Sequence, residues 1–334
     1  MFENKKILIT GGTGSLGKAL TRRLLEKGVD TIRIFSRNEE NQIKMENEFN
    51  DERLRFFLGD VNDYERLKRA LEDVDIVFHA AALKHVPKIE YNPFEAVKTN
   101  VIGSQNVVNA CLYEKVNKVI AIGTDKAVSP LNTYGATKLL MEKLFVAANN
   151  FVNKEKYPTK FLSLRYGNVL GSSGSVVPKM IVQIKNKQKI TITDPNMTRF
   201  SISMENALDF ILHAVEIGKG SEIFIPKLNA YSITEIIEVL RELYGEFEEE
   251  MIGIRPGEKL HETLINREEI RTSWEISNVY MITNPLYSLF HEKEIKSNYE
   301  NIKKIENMNE YSSNLVNKIP KEELKESIKN LGIQ

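Results

Sequence analysis

The sequence predicts an α/β fold in which a doubly wound parallel sheet is followed by a smaller α/β C-terminal domain. Three observations carry this. Short, nearly continuous apolar runs alternate with helical patterns through the first half, as expected of strands buried on both faces by helices. The loop Gly12-Thr-Gly-Ser-Leu-Gly17 joins the first such run to the first helical pattern. The rhythm then changes at Gly171-Ser-Ser-Gly-Ser175, a flexible turn. The expected division is 1–170 and 171–334, with a helix at 203–217 packing back on the first part.

Taken in order, Lys6-Ile-Leu-Ile-Thr10 is a short apolar strand and 16–27 a helix. Strands are expected at 31–35, 54–58, 75–79 and 118–122, with helices at 64–71 and 93–112 between them. A helix beginning near Tyr134 leads to a sixth strand at 160–165. In the second half the pattern gives a helix at 177–187, a strand at 190–193, a helix at 205–217 and a strand at 222–226. Ser232-Ile-Thr-Glu235 has capping-box spacing ahead of the apolar run 236–240. The acidic run 246–250 reads as a solvated turn, and 321–331 as an amphipathic helix.

Bulk properties exclude several classes. Lys plus Arg total 46 and Asp plus Glu total 46, which argues against a nucleic-acid-coating protein because that task needs a basic surface. The single Cys111 excludes an internal disulfide and suits a reducing cytoplasm; its apolar surroundings point to packing. The five histidines lack metal-ligand spacing, so no metal is expected. No apolar run approaches the ~20 residues that span a bilayer, and the start carries no signal-peptide pattern. A cytoplasmic protein without a membrane segment is the expectation.

The glycine loop has the strand-before, helix-after context of a Rossmann dinucleotide site, where pyrophosphate rests on a helix N-terminus. An acidic residue about twenty positions on would select NAD. This chain has Ser36-Arg37 instead, and a guanidinium suits the 2′-phosphate of NADP; the alternative is a solvated surface arginine. Asp60, after the third strand, either accepts from the adenine amine or is an exposed loop carboxylate.

Between Gly123 and Lys138 stand a hydroxyl (Thr124), a carboxyl (Asp125), two amines (Lys126, Lys138) and a phenol (Tyr134). Tyr134 and Lys138 are four apart and share one helix face. An ammonium beside a phenol favours phenolate, so Tyr134 is a candidate base. Asp125 and Lys126 add an acid and a second base, unless they only cap a turn and form a salt bridge.

Gly11-Gly-Thr-Gly-Ser-Leu-Gly17 with Tyr134-x-x-x-Lys138 resembles the extended short-chain dehydrogenase/reductase family. Gly59-Asp-Val, Ala80-Ala-Ala-Leu-Lys-His-Val-Pro87, Thr124-Asp-Lys126, Arg165-Tyr-Gly-Asn168, Gly174-Ser-Val-Val-Pro178, Met197-Thr-Arg-Phe200, Ile254-Arg-Pro-Gly-Glu-Lys-Leu-His-Glu262 and Tyr311-Ser-Ser-Asn314 sharpen this. Together they resemble the inverting UDP-N-acetylglucosamine 4,6-dehydratases, the short type that begins pseudaminic acid biosynthesis. The resemblance implies an NADP-retaining lyase that oxidises carbon 4, eliminates water across carbons 5 and 6, returns hydride to carbon 6 and inverts carbon 5.

It implies catalytic roles for Tyr134, Lys138, Thr124, Lys126 as the carbon-5 base and Asp125 as the acid for the leaving hydroxyl. Retaining relatives usually carry Asp-Glu where this chain has Asp125-Lys126. Cofactor contacts implied are Gly11, Thr13, Gly14, Ser15, Leu16, Gly17, Ser36, Arg37, Asp60, Val61, Ala80, Ala81, Lys84, Tyr134 and Lys138. Substrate contacts implied are Lys84, His85, Asn168, Val176, Arg199, Arg255 and Glu258, with a structural role open for His85. Arg165 is also of a type that suits phosphate. UDP-N-acetylglucosamine is the implied partner, and a homo-oligomer the implied assembly. The rivals are a UDP-sugar 4-epimerase and a non-enzymatic NADP sensor. One tension is chemical: an ammonium beside Asp125 disfavours the protonated carboxyl that the acid role needs.

Overall fold

Unbroken apolar runs become the strands of one large sheet in the computed structural model, which describes residues 1–150, 153, 156–171, 175–285 and 292–331. β1 (Lys6–Thr10), β2 (Thr31–Ser36), β3 (Leu54–Leu58), β4 (Ile76–His79), β5 (Lys118–Ile122) and β6 (Lys160–Leu164) run parallel in the order β3-β2-β1-β4-β5-β6. The order reverses between β1 and β4, which opens a crevice at the carboxyl ends of those strands. In register, Ile9 lies beside Ile34 and Phe78, and Ile120 and Leu162 continue the row.

Because strand side chains alternate, Ile7 and Ile9 enter one core and Leu8 the other. The first face is covered by α1 (Ser15–Glu26), α2 (Glu39–Phe49) and, from far along the chain, α9 (Met204–Ile217). Leu20 and Leu24 of α1 meet Leu208, Ile211 and Val215 of α9 there, and Arg23 pairs with Glu205 and Asp209. The second face is covered by α3 (Tyr64–Leu71), α6 (Gly103–Tyr113) and α7 (Thr133–Ala148). Each large aliphatic side chain buried in these layers contributes about 1.5–3 kcal/mol. Cys111 is fully buried within the second, and burial pushes its thiol up.

The 93–112 helix of the sequence reading is interrupted. α4 (Val86–Tyr91) and α5 (Pro93–Ala96) precede a wide π turn, Val97–Ile102, before α6 begins. Asn100 sits in that turn, fully buried. Its amide receives Leu83 N–H (2.8 Å) and donates to Leu83 O (2.9 Å) and Thr137 Oγ1 (3.0 Å). The turn thus ties the loop after β4 to α7, a use typical of π bulges.

The later chain both extends the sheet and builds a second lobe. β10 (Ile223–Pro226) adds to β6 in parallel, and β15 (Val279–Ile282), β14 (Ser273–Ile276) and β16 (Lys303–Lys304) follow antiparallel. Smaller sheets pair β7 (Asn168–Val169) and β11 (Ala230–Ser232) with β9 (Thr198–Ile202), and β13 (Thr263–Ile265) with β17 (Tyr311–Ser312). The second lobe packs α8 (Val176–Lys185), α10 (Ile233–Tyr244) and α12 (Lys321–Lys329) around Met180, Ile181, Ile236, Leu240, Leu324 and Ile328; α11 (Glu292–Asn298) packs near the sheet through Ile295.

Ser232 and Glu235 form the expected capping box at α10. The acidic run at 246–250 is not wholly a turn: it leads into an exposed edge strand, β12 (Glu249–Met251), parallel to β8 (Ile190–Ile192). Edge strands take charged residues because their side chains stay in solvent. The expected turn at 171–175 lies largely outside the described residues.

Candidate active site

At the carboxyl end of β1, Gly11 turns at φ +68°. A Cβ there would lie 2.8 Å from Ala81 Cα, and one on Gly17 would lie 2.3 Å from the Gly12 carbonyl oxygen. Only glycines allow the loop and α1 to close this far. Gly14 caps α1, and the first bond within the helix runs from Lys18 N–H to Gly14 O (2.9 Å). Helix geometry therefore leaves the N–H groups of Ser15, Leu16 and Gly17 without intrahelical acceptors. A cavity of about 170 Å³ adjoins the loop, lined among others by Gly11, Thr13, Ser36, Arg37, Val61 and Ala81.

Arg37 Nη1 lies 3.3 Å from Asp60 Oδ2, and Asp60 also accepts from Asn62 N–H (2.9 Å). Ala80 N–H donates to Thr10 O (3.1 Å) at the edge of the crevice. A glycine cradle, free helix N–H groups and a guanidinium fit a dinucleotide.

Beneath this loop, His79 is fully buried. Its Nδ1 lies 2.8 Å from Thr10 Oγ1 and its Nε2 2.9 Å from Ser104 Oγ. Burial, with a smaller push from Lys138, brings its pKa down to about 3. The imidazole is therefore a neutral strut between β1 and α6.

The acid–base cluster follows β5. A 3-10 turn, Asp125–Ala127, is capped by Thr124. Asp125 is 1% exposed; its Oδ1 accepts from Thr124 Oγ1 (2.8 Å) and Lys126 Nζ (3.1 Å). Among the described residues its Oδ2 has no hydrogen-bond partner. Lys126 Nζ also reaches Asn168 Oδ1 (3.3 Å) and Glu262 Oε1 (3.6 Å). Burial works against the Lys126 ammonium, but the carboxylates of Asp125 and Glu262 outweigh it and hold the pKa above the usual lysine value.

α7 brings the phenol to this cluster. Asn132 Oδ1 caps the helix by accepting Gly135 N–H (2.8 Å), while its Nδ2 donates to Gly257 O (2.8 Å). A Cβ on Gly135 would lie 2.2 Å from the Lys126 carbonyl oxygen, so helix and 3-10 turn are in direct contact. Tyr134 is pushed up by burial, with Lys126 and a Thr124 hydrogen bond acting against it. This corrects one detail of the sequence reading. The cation that opposes the rise in the Tyr134 pKa is Lys126, not Lys138. Lys138 Nζ instead donates to Ile122 O (2.6 Å) and contacts Met141 Sδ (3.0 Å), and burial brings its pKa down to about 7.

The cluster opens into a cavity of about 310 Å³ whose lining includes Lys126, Asn168, Val176, Arg199, Arg255 and Glu258. Arg199 Nη1 donates to Thr198 O (2.8 Å) and Leu260 O (3.1 Å), and Arg255 pairs with Glu258 (3.5 Å). Lys84 and His85 are exposed and stand outside the lining of both cavities, though the adjacent Val86 and Pro87 line the larger one.

Arg165 is not at the site. It is fully buried and bidentate to Glu142 (2.6 and 2.6 Å), with further bonds to Glu269 (2.9 and 2.7 Å) and Leu264 O (3.1 Å). Two residues were not singled out by sequence reasoning: Glu262 and Lys259, both in the larger cavity's lining. The signal available was their place in the charged stretch 254–262 just ahead of an apolar strand.

Among the described residues, no group of three His, Cys, Asp or Glu side chains could hold a metal ion. No described helix is long and apolar enough to cross a membrane.

Comparison with known proteins bears on this arrangement. A family model described as polysaccharide biosynthesis protein matches residues 7–284. A UDP-N-acetylglucosamine 4,6-dehydratase (inverting) of Campylobacter jejuni is 48% identical over 302 residues, covering 89% of this chain and 88% of that protein. A UDP-glucose 4-epimerase of Rickettsia bellii is 41% identical over 336 residues, covering 99% and 97%. The X-ray structure of Pen from Bacillus thuringiensis superposes with a TM-score of 0.91 at 40% identity, covering 100% of both chains.

Proposed function

This chain belongs to the polysaccharide biosynthesis protein family, among nucleotide-sugar dehydratases, and from that premise we propose that it is an NADP-dependent, inverting UDP-N-acetylglucosamine 4,6-dehydratase. The observation that carries the reading is the buried Asp125 carboxylate 3.1 Å from Lys126 Nζ in one cluster with Tyr134. Hydride chemistry alone needs Tyr134 and Lys138; expelling a hydroxyl needs an acid and a carbon base as well.

In this reading Tyr134 takes the proton of the sugar 4-hydroxyl, which Thr124 holds. Lys138 holds the nicotinamide ribose, and the glycine loop with the first turn of α1 holds the pyrophosphate. The cofactor, when bound, supplies a hydride acceptor for carbon 4 and a hydride donor for carbon 6. Oxidation at carbon 4 makes the carbon-5 hydrogen acidic, and Lys126 Nζ removes it. Asp125 protonates the 6-hydroxyl, which leaves as water; a solvent-derived proton delivered to the opposite face of carbon 5 inverts that centre, and Tyr134 releases the proton it took to solvent, which closes the balance.

The Asp125–Lys126 pair conserves protons through the elimination. It begins as acid plus amine and ends as carboxylate plus ammonium. Moving one proton along the 3.1 Å contact restores the starting form. That exchange runs against the carboxylates of Asp125 and Glu262, which favour the Lys126 ammonium, so the reactive form is the less populated one.

Arg199 and Arg255 suit the diphosphate, since guanidinium groups match phosphate geometry, and Asn168, Val176 and Glu258 border the nucleotide sugar. Arg37 suits the 2′-phosphate of NADP, in exchange for its contact with Asp60. Residues 1–170 then hold mainly the cofactor and 171–334 mainly the UDP-sugar. The buried Cys111 thiol suits a reducing cytoplasm.

A 4-epimerase is the second reading, favoured by the name of the Rickettsia relative. Incubation with UDP-N-acetylglucosamine in heavy water, followed by NMR, separates them. A 4-keto-6-deoxy product of L-arabino configuration with deuterium at carbon 5 is expected. UDP-N-acetylgalactosamine would make the protein an epimerase, D-xylo product a retaining dehydratase, and NADP binding without turnover a sensor.

A further inference from the structure

One buried carboxylate in the reaction cavity has no role in the scheme above. Glu262 is 3% exposed and lines the larger cavity. Its Oε1 stands 3.6 Å from Lys126 Nζ and 3.8 Å from Arg199 Nε, ion-pair distances too long for hydrogen bonds. Among the described residues its Oε2 has no hydrogen-bond partner. An incompletely paired buried carboxylate is destabilising, so its retention calls for a use.

The backbone of the same residue is fully engaged. Glu262 N–H donates to Ser313 Oγ (2.9 Å), and Glu262 O accepts from Ser313 N–H (2.8 Å) and Ser312 Oγ (3.2 Å). Ser313 Oγ is also 2.7 Å from Thr198 Oγ1 and donates to Thr198 O (3.1 Å), beside Arg199. The segment Tyr311-Ser-Ser-Asn314, which the reaction scheme leaves without a task, therefore clamps Glu262 against the site.

Building on the dehydratase reading, we propose that Glu262 is the positioning residue for Lys126: it holds the amine on the cavity side of Asp125 and balances the charge Lys126 acquires on taking the carbon-5 proton. The need follows from the order of transfers. After Lys126 has taken a proton and before Asp125 has given one up, Asp125 is neutral. Glu262 is then the carboxylate that faces the new ammonium. The other titratable groups around Lys126 are Asp125 from the 3-10 turn, Tyr134 from α7, Tyr231 from β11, Arg199 from β9 and Lys259 from the 255–262 stretch, with the neutral Asn168 amide of β7 also in reach. Arg199 and Lys259 are cationic and work against the ammonium, which leaves Glu262 to offset them.

The test is Glu262→Gln, which keeps the shape and removes the charge. In the isolated protein, the pH dependence of Lys126 acylation by an amine-selective reagent, read by peptide mass spectrometry, should move to lower pH. The expected displacement is on the order of one to three units. In turnover of UDP-N-acetylglucosamine, the acidic limb of the kcat profile should move the same way, with plateau kcat down about tenfold and KM nearly unchanged. Glu262→Asp should move both less, and it serves as the test if the Gln variant does not fold. An unchanged Lys126 titration together with an unchanged pH profile would overturn the proposal. If the wild type does not dehydrate this sugar, the reaction scheme fails, and the acylation arm still decides whether Glu262 sets the charge on Lys126.

Discussion

Arg165 was a candidate phosphate ligand by residue type, and the structure commits it to the fold instead. Its side chain and that of Glu142 are 0% exposed, and Glu269 is 17% exposed. The triad joins the residue just after β6 to α7 and the 3-10 turn Glu269–Thr272. Replacing Arg165 with Met keeps roughly the volume but strands two carboxylates, one of them fully buried. Removing one member of such a buried pair typically costs about 3–5 kcal/mol. Urea unfolding followed by the fluorescence of Trp274, the single tryptophan and 1% exposed, reads this loss as a lower midpoint at constant slope.

The pH dependence adds a second check. Burial pushes the Glu269 carboxyl up, but Arg165 and hydrogen bonds outweigh it and hold it below the usual carboxylate range. In wild type this contributes stability that is lost as pH falls through the folded value. In Arg165→Met the largest influence opposing burial is gone, while the Asn266 N–H bond and Lys143 remain, so the folded carboxyl lies higher than in wild type and the variant loses less stability as pH falls. The gap between the two proteins should therefore narrow towards pH ~5. A loss below about 1 kcal/mol, or unchanged stability with weakened UDP-sugar binding, would return Arg165 to the ligand site.

Other expectations are equally specific. Asp125→Asn should lower the dehydration rate by about 10²–10⁴-fold while exchange at carbon 4 persists; an unaltered rate removes Asp125 as the acid. Arg37→Ser should weaken NADP about tenfold or more, with little change for NAD, by equilibrium titration. For Lys138, the folded pKa of about 7 lies below its unfolded value. The unfolded chain thus binds more protons between those values, and stability rises with pH across that window. The unfolding free energy of cofactor-stripped wild type minus that of Lys138→Met should accordingly increase from about pH 7 to 10; a flat difference contradicts the assignment. Gly135→Ala, with its Cβ set 2.2 Å from Lys126 O, should destabilise by about 1–3 kcal/mol and cut kcat more than it raises KM.

The parallel core was legible because its strands are apolar on both faces and the glycine loop has a fixed place after the first of them. Tyr134, Lys138, Asp125 and Lys126 were legible because a short stretch holds them all. Glu262 was not, since its importance comes from a contact with Lys126 more than a hundred residues away. The direction of Lys138 was hidden for a similar reason: four-residue spacing gives a shared helix face, yet not which acceptor a long flexible amine will choose. The π turn at Val97–Ile102 escaped because its cause is tertiary, the demand of buried Asn100 for Leu83 and Thr137. β12 was missed because an edge strand needs no apolar pattern.

The clamp formed by Ser312 and Ser313 bears on how the enzyme comes to life during synthesis. The six parallel strands that cradle the dinucleotide are complete by Leu164, so a nascent chain can fold its dinucleotide crevice early, domain by domain. The hydrogen bonds that fix Glu262 beside Lys126 await residues 311–313. A growing polypeptide therefore carries Asp125, Lys126 and Tyr134 together with its dinucleotide strands, well before the residues that fix Glu262 beside them. The crevice for a dinucleotide and the fixing of Glu262 thus depend on segments synthesised at different times, the second only once Ser312 and Ser313 have emerged.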